Sequence, residues 1–369
     1  MKLPVFTKFA VVTAAMLFGG ILLTGCGDPD PGHRLGTPDT RWYNPGRLDY
    51  TIRTADQLAG LAQIVNGGTE GIAVDNFARS NNRTATITLS VNINLSTHYA
   101  VGSSFNNGRG WVPIGREGRP FGGVFNGNGN TISGLSINHA ELNLAGLFGL
   151  VQGGKIKNLA IADMDIRAND EVGGLAGHLM GANAAITNCF TTGSIRGNRD
   201  VGGIVGFFNN GIVSGSYSTS AVVGSENVGG IAGDVSDTLR NSYSTGIVSG
   251  NRHVGGIAGK NAGTIISCAA FNPKVGPVGA TADNIGRVTG GSIGTLTANI
   301  AFGGMEGGPF PVGMDGASNL NGETYDAENI RVGNDFSGRF TNENGWTTDL
   351  GALPGLFGKT VLMPNHLRP

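Results

Sequence analysis

Two aspartates are the first residues of this chain whose types and spacing could do chemistry. Asp163 and Asp165 stand two positions apart, so in a β-strand their side chains share one face. Paired carboxylates can bind calcium or hydrolyse a glycosidic bond. The equivalent positions in the later repeats hold Gly, Ser or Thr. No acidic ladder is therefore expected, and a polysaccharide-active β-helical enzyme is kept as the alternative function.

A second polar set stands directly before four glycine-rich, six-residue segments of the chain. Its members are Glu171, Asp200, Asn227 and His253. The mixture of charge and residue type is typical of a solvated surface. This column is therefore not predicted to be a catalytic site.

Residues that bind cofactors do not occur in a recognisable pattern. None of the six histidines pairs with another at the spacing of a helical metal site. No P-loop is present, and Gly127-x-Gly129 continues into no dinucleotide fingerprint. The formal net charge of -1, with 14% charged residues, provides no basic patch for nucleic acid. We predict no catalytic residue, no metal, no cofactor and no nucleic-acid partner.

The six-residue segments repeat at a nearly constant interval, and this interval predicts the fold. The five hexads start at Leu144, Val172, Val201, Val228 and Val254, in steps of 28, 29, 27 and 26 residues. A period in this range indicates a solenoid, in which each repeat buries its apolar face against its neighbours. The glycines expected to allow tight corners, where a Cβ would clash, are Gly173, Gly174, Gly202, Gly203, Gly229, Gly230, Gly255 and Gly256.

Between the hexads, the repeats align in columns. An apolar column is followed by a turn column, a small-residue column and a β-branched column, so each coil is expected to supply three short strands. The apolar column holds Ile156, Ile186, Val213, Leu239 and Ile265. The turn column holds Asn158, Asn188, Gly215, Asn241 and Ser267. We predict an all-β fold, a right-handed parallel β-helix of about 26–29 residues per coil, with a short N-terminal capping helix.

One column contains aromatic residues in three successive coils, Phe190, Tyr217 and Tyr243. If the rings are exposed, they form a stacking platform for sugar rings. If they are buried, they form an aromatic stack in the core. The sequence does not decide between the two, and the three rings are retained as a tentative ligand platform.

Cys189 and Cys268 fall in the same small-residue column, three coils apart. Three steps of about 4.8 Å place them roughly 14 Å apart. A disulfide requires Cα atoms within about 7 Å. Two free, buried thiols are therefore predicted.

The N-terminus predicts export and lipid anchoring. Lys2 and Lys8 precede an apolar stretch over 9–23, which is the pattern of a secretory signal. Leu23-Thr-Gly-Cys26 resembles a bacterial lipobox, in which Cys26 would become the lipid-modified first residue of the mature protein. A transmembrane anchor is the alternative, but about 15 apolar residues are short for a span of about 20.

The remaining segments complete the predicted domains. The predicted order is a signal peptide over 1–26, a Pro-rich flexible tether over 27–50, an N-terminal cap over 51–83, a β-helix over 84–272 and irregular terminal coils with a cap over 273–369. Thr54 and Gln57 match a capping box that opens a helix over 54–66. This helix would cover the open end of the solenoid.

The hexads, the Asn-Cys-Phe-Thr-Thr-Gly segment at 188–193 and Trp-Val-Pro-Ile-Gly at 111–115 resemble GLUG-motif proteins. These are bacterial surface and secreted proteins that include adhesin-like lipoproteins and regions of IgA-specific metallopeptidases. The resemblance covers about 84–272 and implies a β-helical surface module without one shared activity. The His-Glu-x-x-His site of the peptidases is not found in this sequence, so no catalytic residue is carried over.

We expect a non-enzymatic protein at the surface of the bacterial outer membrane, held by lipid on Cys26. Its loops would bind a glycan or a host surface protein, because loops on a rigid stack are where recognition residues sit. The alternatives are a polysaccharide-active enzyme and a periplasmic structural lipoprotein.

Overall fold

The structure is a computed structural model that describes residues 33–67, 77, 84–279, 283–333 and 336–368. The predicted signal peptide, Cys26 and the first part of the predicted tether lie outside these residues. The chain divides into two compact units, Met1–Arg34 and Leu35–Pro369, and the second is described below. Across the described ranges, no helix has the length and apolarity needed to cross a membrane.

The second unit is a parallel β-solenoid, which confirms the predicted fold. Strands at the same position of successive coils pair in parallel, as Tyr217 does with Tyr243 and Val222 with Val248. Before the hexads, the strands are Asp49–Ile52, Thr86–Leu89, Ile93–Asn94, Val124–Asn126, Thr131–Ser133 and Ser136–Asn138. The first two hexad coils contain Phe148–Gln152, Lys155–Arg167, Val172–Gly173 and Ala176–Arg196.

Later coils are divided into more strands than the three predicted. The third contains Arg199–Gly202, Val205–Ser214, Tyr217–Ser218 and Ala221–Val223. The fourth contains Glu226–Gly229, Ala232–Val235, Thr238–Arg240, Tyr243–Ser244 and Val248–Gly250. The fifth contains Arg252–Gly255, Ala258–Asn261, Thr264–Ile266, Ala269–Ala270 and Lys274–Pro277. The extra strands arise because each hexad is more than a corner: its first two residues end one strand and its last two begin the next.

The regular ladder continues beyond residue 272, where the sequence predicts that it ends. A sixth coil contains Asp283–Gly286, Thr289–Ser292, Thr295–Thr297, Ile300–Phe302 and Glu306–Gly307. Asn284-Ile285-Gly286 lies in the first of these strands, which pairs with the fifth hexad coil. A final strand, Glu323–Tyr325, adds to Ile300–Phe302. The coil repeat therefore extends beyond the predicted boundary, because longer turns lengthen the step between coils without breaking the strand register.

The hexad glycines are required by crowding between coils. A Cβ on Gly229 would lie 2.6 Å from Cα of Ala258 in the next coil, and one on Gly203 would overlap the carbonyl oxygen of Gly230. The backbone at these glycines is not left-handed, so close approach rather than backbone freedom explains them.

The predicted turn column is left-handed, which explains its residue types. The φ angles are 52° at Asn158, 51° at Asn188 and 46° at Asn241. Asparagine adopts this conformation more readily than most residues. A hydrogen bond between asparagine side chains links two coils: Asn158 Nδ2 donates to Asn126 Oδ1 at 3.2 Å.

The interior holds the apolar columns and both cysteines. The five residues of the predicted apolar column are fully buried. Cys189 and Cys268 are free and buried, as predicted, and burial raises the pKa of each thiol to about 12. Neither thiol is therefore ionised at neutral pH.

The N-terminal end is closed by the predicted helix, α1, which spans Ala55–Val65 and is capped by the Thr54 side chain. The segment 35–50 does not behave as the flexible tether predicted for 27–50. The backbone of Asp39 donates to the Asp56 carbonyl in α1 at 2.8 Å, and Tyr43 is only 9% exposed. Aromatic residues within this Pro-rich segment gain more from packing on the cap than from remaining solvated.

The C-terminal residues turn back along the solenoid after helix α2, Ala327–Val332. We name residues 336–368 the C-terminal clasp. It contains two antiparallel pairs, Trp346–Thr347 with Gly355–Leu356 and Ala352–Leu353 with Val361–Leu362. Short 3-10 helices are Phe105–Gly108, Asn342–Asn344 and Asn365–Leu367.

Candidate functional site

The aromatic column is a stack that the C-terminal clasp covers. The ring centroids of Phe190 and Tyr217 are 4.7 Å apart at 7°, and those of Tyr217 and Tyr243 are 5.0 Å apart at 2°. Trp346 of the clasp lies 5.6 Å from Tyr243, whose hydroxyl donates to the Pro354 carbonyl at 2.5 Å. Burial raises the pKa of both tyrosines. The tentative ligand platform is thus occupied by the chain's own clasp and presents no open ring face at Tyr217 or Tyr243.

Asp163 and Asp165, the pair considered for hydrolysis, are both exposed. Asp165 Oδ1 accepts a hydrogen bond from Ser194 Oγ of the next coil at 2.8 Å. Among the described residues, neither aspartate lies in a cleft that would enclose a substrate, and neither faces a second carboxylate across such a cleft. The two residues are therefore part of the ordinary solenoid surface.

A different polar cluster forms where residues flanking the hexads meet. The residues directly before the hexads have left-handed φ angles, such as 56° at Asp200 and 52° at Asn227. The residues directly after the hexads pair between coils, as Asp234 does with Lys260. We name the following seven residues the hexad-edge ladder: Glu171, His178, Asp200, Asn227, Asp234, His253 and Lys260.

A chain of hydrogen bonds links three successive coils of this ladder. Asn227 Nδ2 donates to Asp200 Oδ1 at 2.7 Å, and Asn227 Oδ1 lies 3.1 Å from His253 Nδ1. Because the amide nitrogen already donates to the carboxylate, the amide oxygen must accept from the imidazole. This assigns the proton of neutral His253 to Nδ1 and leaves Nε2 as an acceptor. Burial, with the nearby charges of Arg252 and Lys260, lowers the pKa of His253 and favours this neutral form.

The two aspartates of the ladder are harder to ionise than usual. Burial raises the pKa of Asp200 to about 6, and the charges of Asp234 and Glu171 act in the same direction. The hydrogen bond from Asn227 and the charge of Arg199 oppose this rise. Burial also raises the pKa of Asp234, although Lys260 Nζ lies 3.4 Å from its Oδ2. Asp200 therefore exchanges its proton near pH 6, within the range where carboxylates assist proton transfer.

The other end of the ladder is formed by His178. Its Nδ1 lies 2.9 Å from Glu171 Oε2, and its Nε2 lies 3.3 Å from Asn209 Oδ1. The imidazole also packs on Phe207, with 4.7 Å between ring centroids. The ladder thus combines carboxylate, amide, imidazole and ammonium groups along one edge of the solenoid.

The hexad-edge ladder differs from the solvated surface that the sequence predicts for the four residues before the hexads. Asn227 is only 6% exposed, and Asp200 is hydrogen-bonded to the next coil. His178, Asp234 and Lys260 are ladder residues that the sequence pattern does not single out. The signal that was available is their position, because each directly follows a hexad. In the described part of the chain, no group of three or more His, Cys, Asp or Glu side chains is placed to hold a metal ion.

Comparison with known protein families identifies the repeat. Residues 168–196 match the family model of the GLUG motif, so the resemblance is confirmed for this coil and the chain is a β-helical protein that carries this motif. The match spans the second hexad and the strand that follows it, Ala176–Arg196.

Curated relatives share only part of the chain. Halomucin from Haloquadratum walsbyi is 32% identical over 138 residues, which is 36% of this chain and 1% of the relative. A "Putative Gly-rich membrane protein" from Evansella cellulosilytica is 38% identical over 80 residues, which is 21% of this chain and 9% of the relative. This chain therefore corresponds to a small fraction of either relative.

A solved structure shares the fold over most of the chain. It is named "putative immunoglobulin A1 protease", from Bacteroides ovatus, and superposes with a TM-score of 0.64 at 20% identity. The alignment covers 84% of this chain and 93% of that chain. At this identity the likeness shows the β-helical architecture alone.

Proposed function

We propose that this chain is a lipid-anchored, non-enzymatic protein of the bacterial outer-membrane surface that binds a glycan along the hexad-edge ladder. The observation that carries the proposal is the hydrogen-bonded chain from Asp200 through Asn227 to His253. Its groups are held on the rigid backbone of successive coils, so binding loses little conformational freedom. The mixture of donors and acceptors suits a ligand rich in hydroxyl groups.

The cellular location rests on sequence and on relatives. The lipobox-like residues before Cys26 support a lipid anchor, and one relative is named as a membrane protein. Cys26→Ala should abolish labelling by a fatty-acid probe, and protease treatment of intact cells should remove the wild-type chain. Labelling that persists in Cys26→Ala would contradict the anchor. Protection until the outer membrane is opened would favour the periplasmic structural alternative.

Glycan binding can be tested with the full-length chain purified in detergent. A broad glycan array should show a bound class, and the double variant Asn227→Ala/His253→Ala should bind it at least about tenfold more weakly, because it removes the Nε2 acceptor of His253 and the amide that orients the imidazole. The matched control is Asp163→Ala/Asp165→Ala, on the exposed surface, which should bind as the wild type does. An array without binding, or equal binding by both variants, would contradict the proposal.

A polysaccharide-active enzyme is the second candidate, favoured by Asp200 and His253. A carboxyl with a pKa of about 6 can donate a proton, and a neutral imidazole with a free Nε2 can accept one. Product release from bound glycans, lost in Asp200→Asn, would favour catalysis over binding. Because the Bacteroides ovatus structure carries a protease name, immunoglobulin A1 belongs among the substrates assayed.

A further inference from the structure

A groove separate from the hexad-edge ladder runs across the corner between the first two hexad coils. Its volume is about 360 Å³, and Arg167, Arg196, Asn169 and Asn198 are among its lining residues. Its floor includes Ala168 and Gly197, whose small size leaves the space open. A groove of this size accommodates one or two sugar rings.

Two arginines lie side by side at this groove. Arg196 pairs in register with Arg167 of the preceding coil, so their backbones are about 4.8 Å apart. Like charges directly opposite each other in a sheet are destabilising. Neither guanidinium forms an ion pair or a side-chain hydrogen bond with any residue that the structure describes. The two cations therefore lie next to each other without an internal counter-charge.

Two carboxylates close to these arginines in sequence are already engaged by other groups. Asp170 Oδ2 lies 3.1 Å from the guanidinium of Arg199, and its Oδ1 accepts from Asn198 Nδ2 at 3.0 Å. Asp165, two residues before Arg167, accepts from Ser194. An anion from outside the chain would thus relieve the repulsion between Arg167 and Arg196 without displacing an existing ion pair.

The amides beside the arginines suit hydroxyl groups. Asn169 Nδ2 donates to Asn143 Oδ1 at 2.9 Å, and Asn198 Nδ2 donates to Asp170. Each amide nitrogen uses one of its two hydrogens in these bonds, so Asn169 and Asn198 still offer one N–H donor and the Oδ1 acceptor to a ligand. Two guanidiniums for an oxyanion, with two acceptors for hydroxyl protons, match an acidic sugar.

We infer that the Arg167/Arg196 groove binds an anionic saccharide, through a uronate carboxylate or a sulfate ester held by both guanidiniums. The inference rests on the proposed glycan-binding function and adds a ligand class and a second binding position. Recognition at this groove depends on charge, so it should weaken as salt rises, since screening lengths fall from about 10 Å at 0.1 M to about 3 Å at 1 M.

The test measures binding of the full-length chain, purified in detergent, to polygalacturonate, dextran sulfate and uncharged dextran. Arg167→Gln/Arg196→Gln should bind the anionic polymers at least about tenfold more weakly than the wild type. The control Arg240→Gln/Lys359→Gln removes the same charge from exposed positions and should change affinity less than about twofold. Far-UV circular dichroism checks that both variants are folded.

Each outcome bears on one of the two proposals. If Arg167→Gln/Arg196→Gln loses binding to polygalacturonate but not to dextran sulfate, the ligand is a carboxylate. If it loses binding to dextran sulfate alone, the ligand is a sulfate ester. Equal loss in the groove variant and the control would overturn the groove, because binding would then follow net charge alone. Absence of anionic binding by the wild type would also overturn it. Array binding lost in Asn227→Ala/His253→Ala would still support the proposed function in that case.

Discussion

The aromatic stack and the hexad-edge ladder are built by the same repeat but meet different surroundings. Both are columns of side chains that lie in register across the third, fourth and neighbouring coils. The clasp packs Trp346 and Phe340 onto the stack, whereas the ladder keeps partly exposed groups such as His253. The difference shows that a column in a solenoid becomes core or surface according to what packs on it, not according to its own period.

The largest expected effect on stability comes from a hexad glycine at the corner between strands. Gly229→Ala should destabilise the fold by more than about 3 kcal/mol or prevent folding, because the added Cβ meets backbone atoms of Ala232 and Ala258. Urea unfolding followed by circular dichroism measures this. Gly279→Ala, where nothing lies within 4 Å, should change stability by less than about 0.5 kcal/mol. A tolerated Gly229→Ala would contradict the crowding argument.

Trp346→Ala should loosen the C-terminal clasp from the aromatic stack and leave the coils folded. Trp346 is 2% exposed, and removing a buried aromatic side chain costs about 3–5 kcal/mol. Limited proteolysis should then cleave within residues 336–368 before it reaches the solenoid. Leu350→Ala in the same clasp, at a position 71% exposed, is the control and should leave cleavage unchanged. If the protease cleaved the clasp and the coils at the same rate, the clasp would be required for the solenoid to stay folded.

Asp200→Asn tests the open column through pH. The folded-state pKa of about 6 lies above the ordinary value of 3.8, so the folded chain binds this proton more tightly than the unfolded chain. The ionised carboxylate therefore lowers the free energy of unfolding above pH 6, and this loss disappears as the pH falls towards 4. Asp200→Asn should be more stable than the wild type by about 1–3 kcal/mol at pH 7, with the gap closing near pH 4.

The measurement is urea unfolding at several pH values between 4 and 8. The control Asp163→Asn, at an exposed position, should change the free energy of unfolding at pH 7 by less than about 0.5 kcal/mol. If the stability gap between Asp200→Asn and the wild type did not vary with pH, Asp200 would not be buried in the ladder as described.

Much of the solenoid could be predicted from sequence because the hexad period encodes strand register. Once Val201, Val228 and Val254 are aligned, the buried cysteines and the turns at Asn188 and Asn241 follow from their place in the repeat. The hexad-edge ladder could be predicted from the sequence only in part. Its residues are separated by the hexad in sequence, and nothing in their types shows that Asp200 and Asp234 lose solvent together.

The sequence by itself determined the coil, its register and the columns, since these depend on local spacing and on small residues at the corners. Only the tertiary structure decided that the aromatic column is covered and that the hexad edges are polar clusters. The hydrogen bond from Tyr243 to Pro354 joins residues 111 positions apart. The clasp that carries Pro354 has no repeat, and the apolar burial that holds it is non-directional, so no periodic pattern indicates which face it covers.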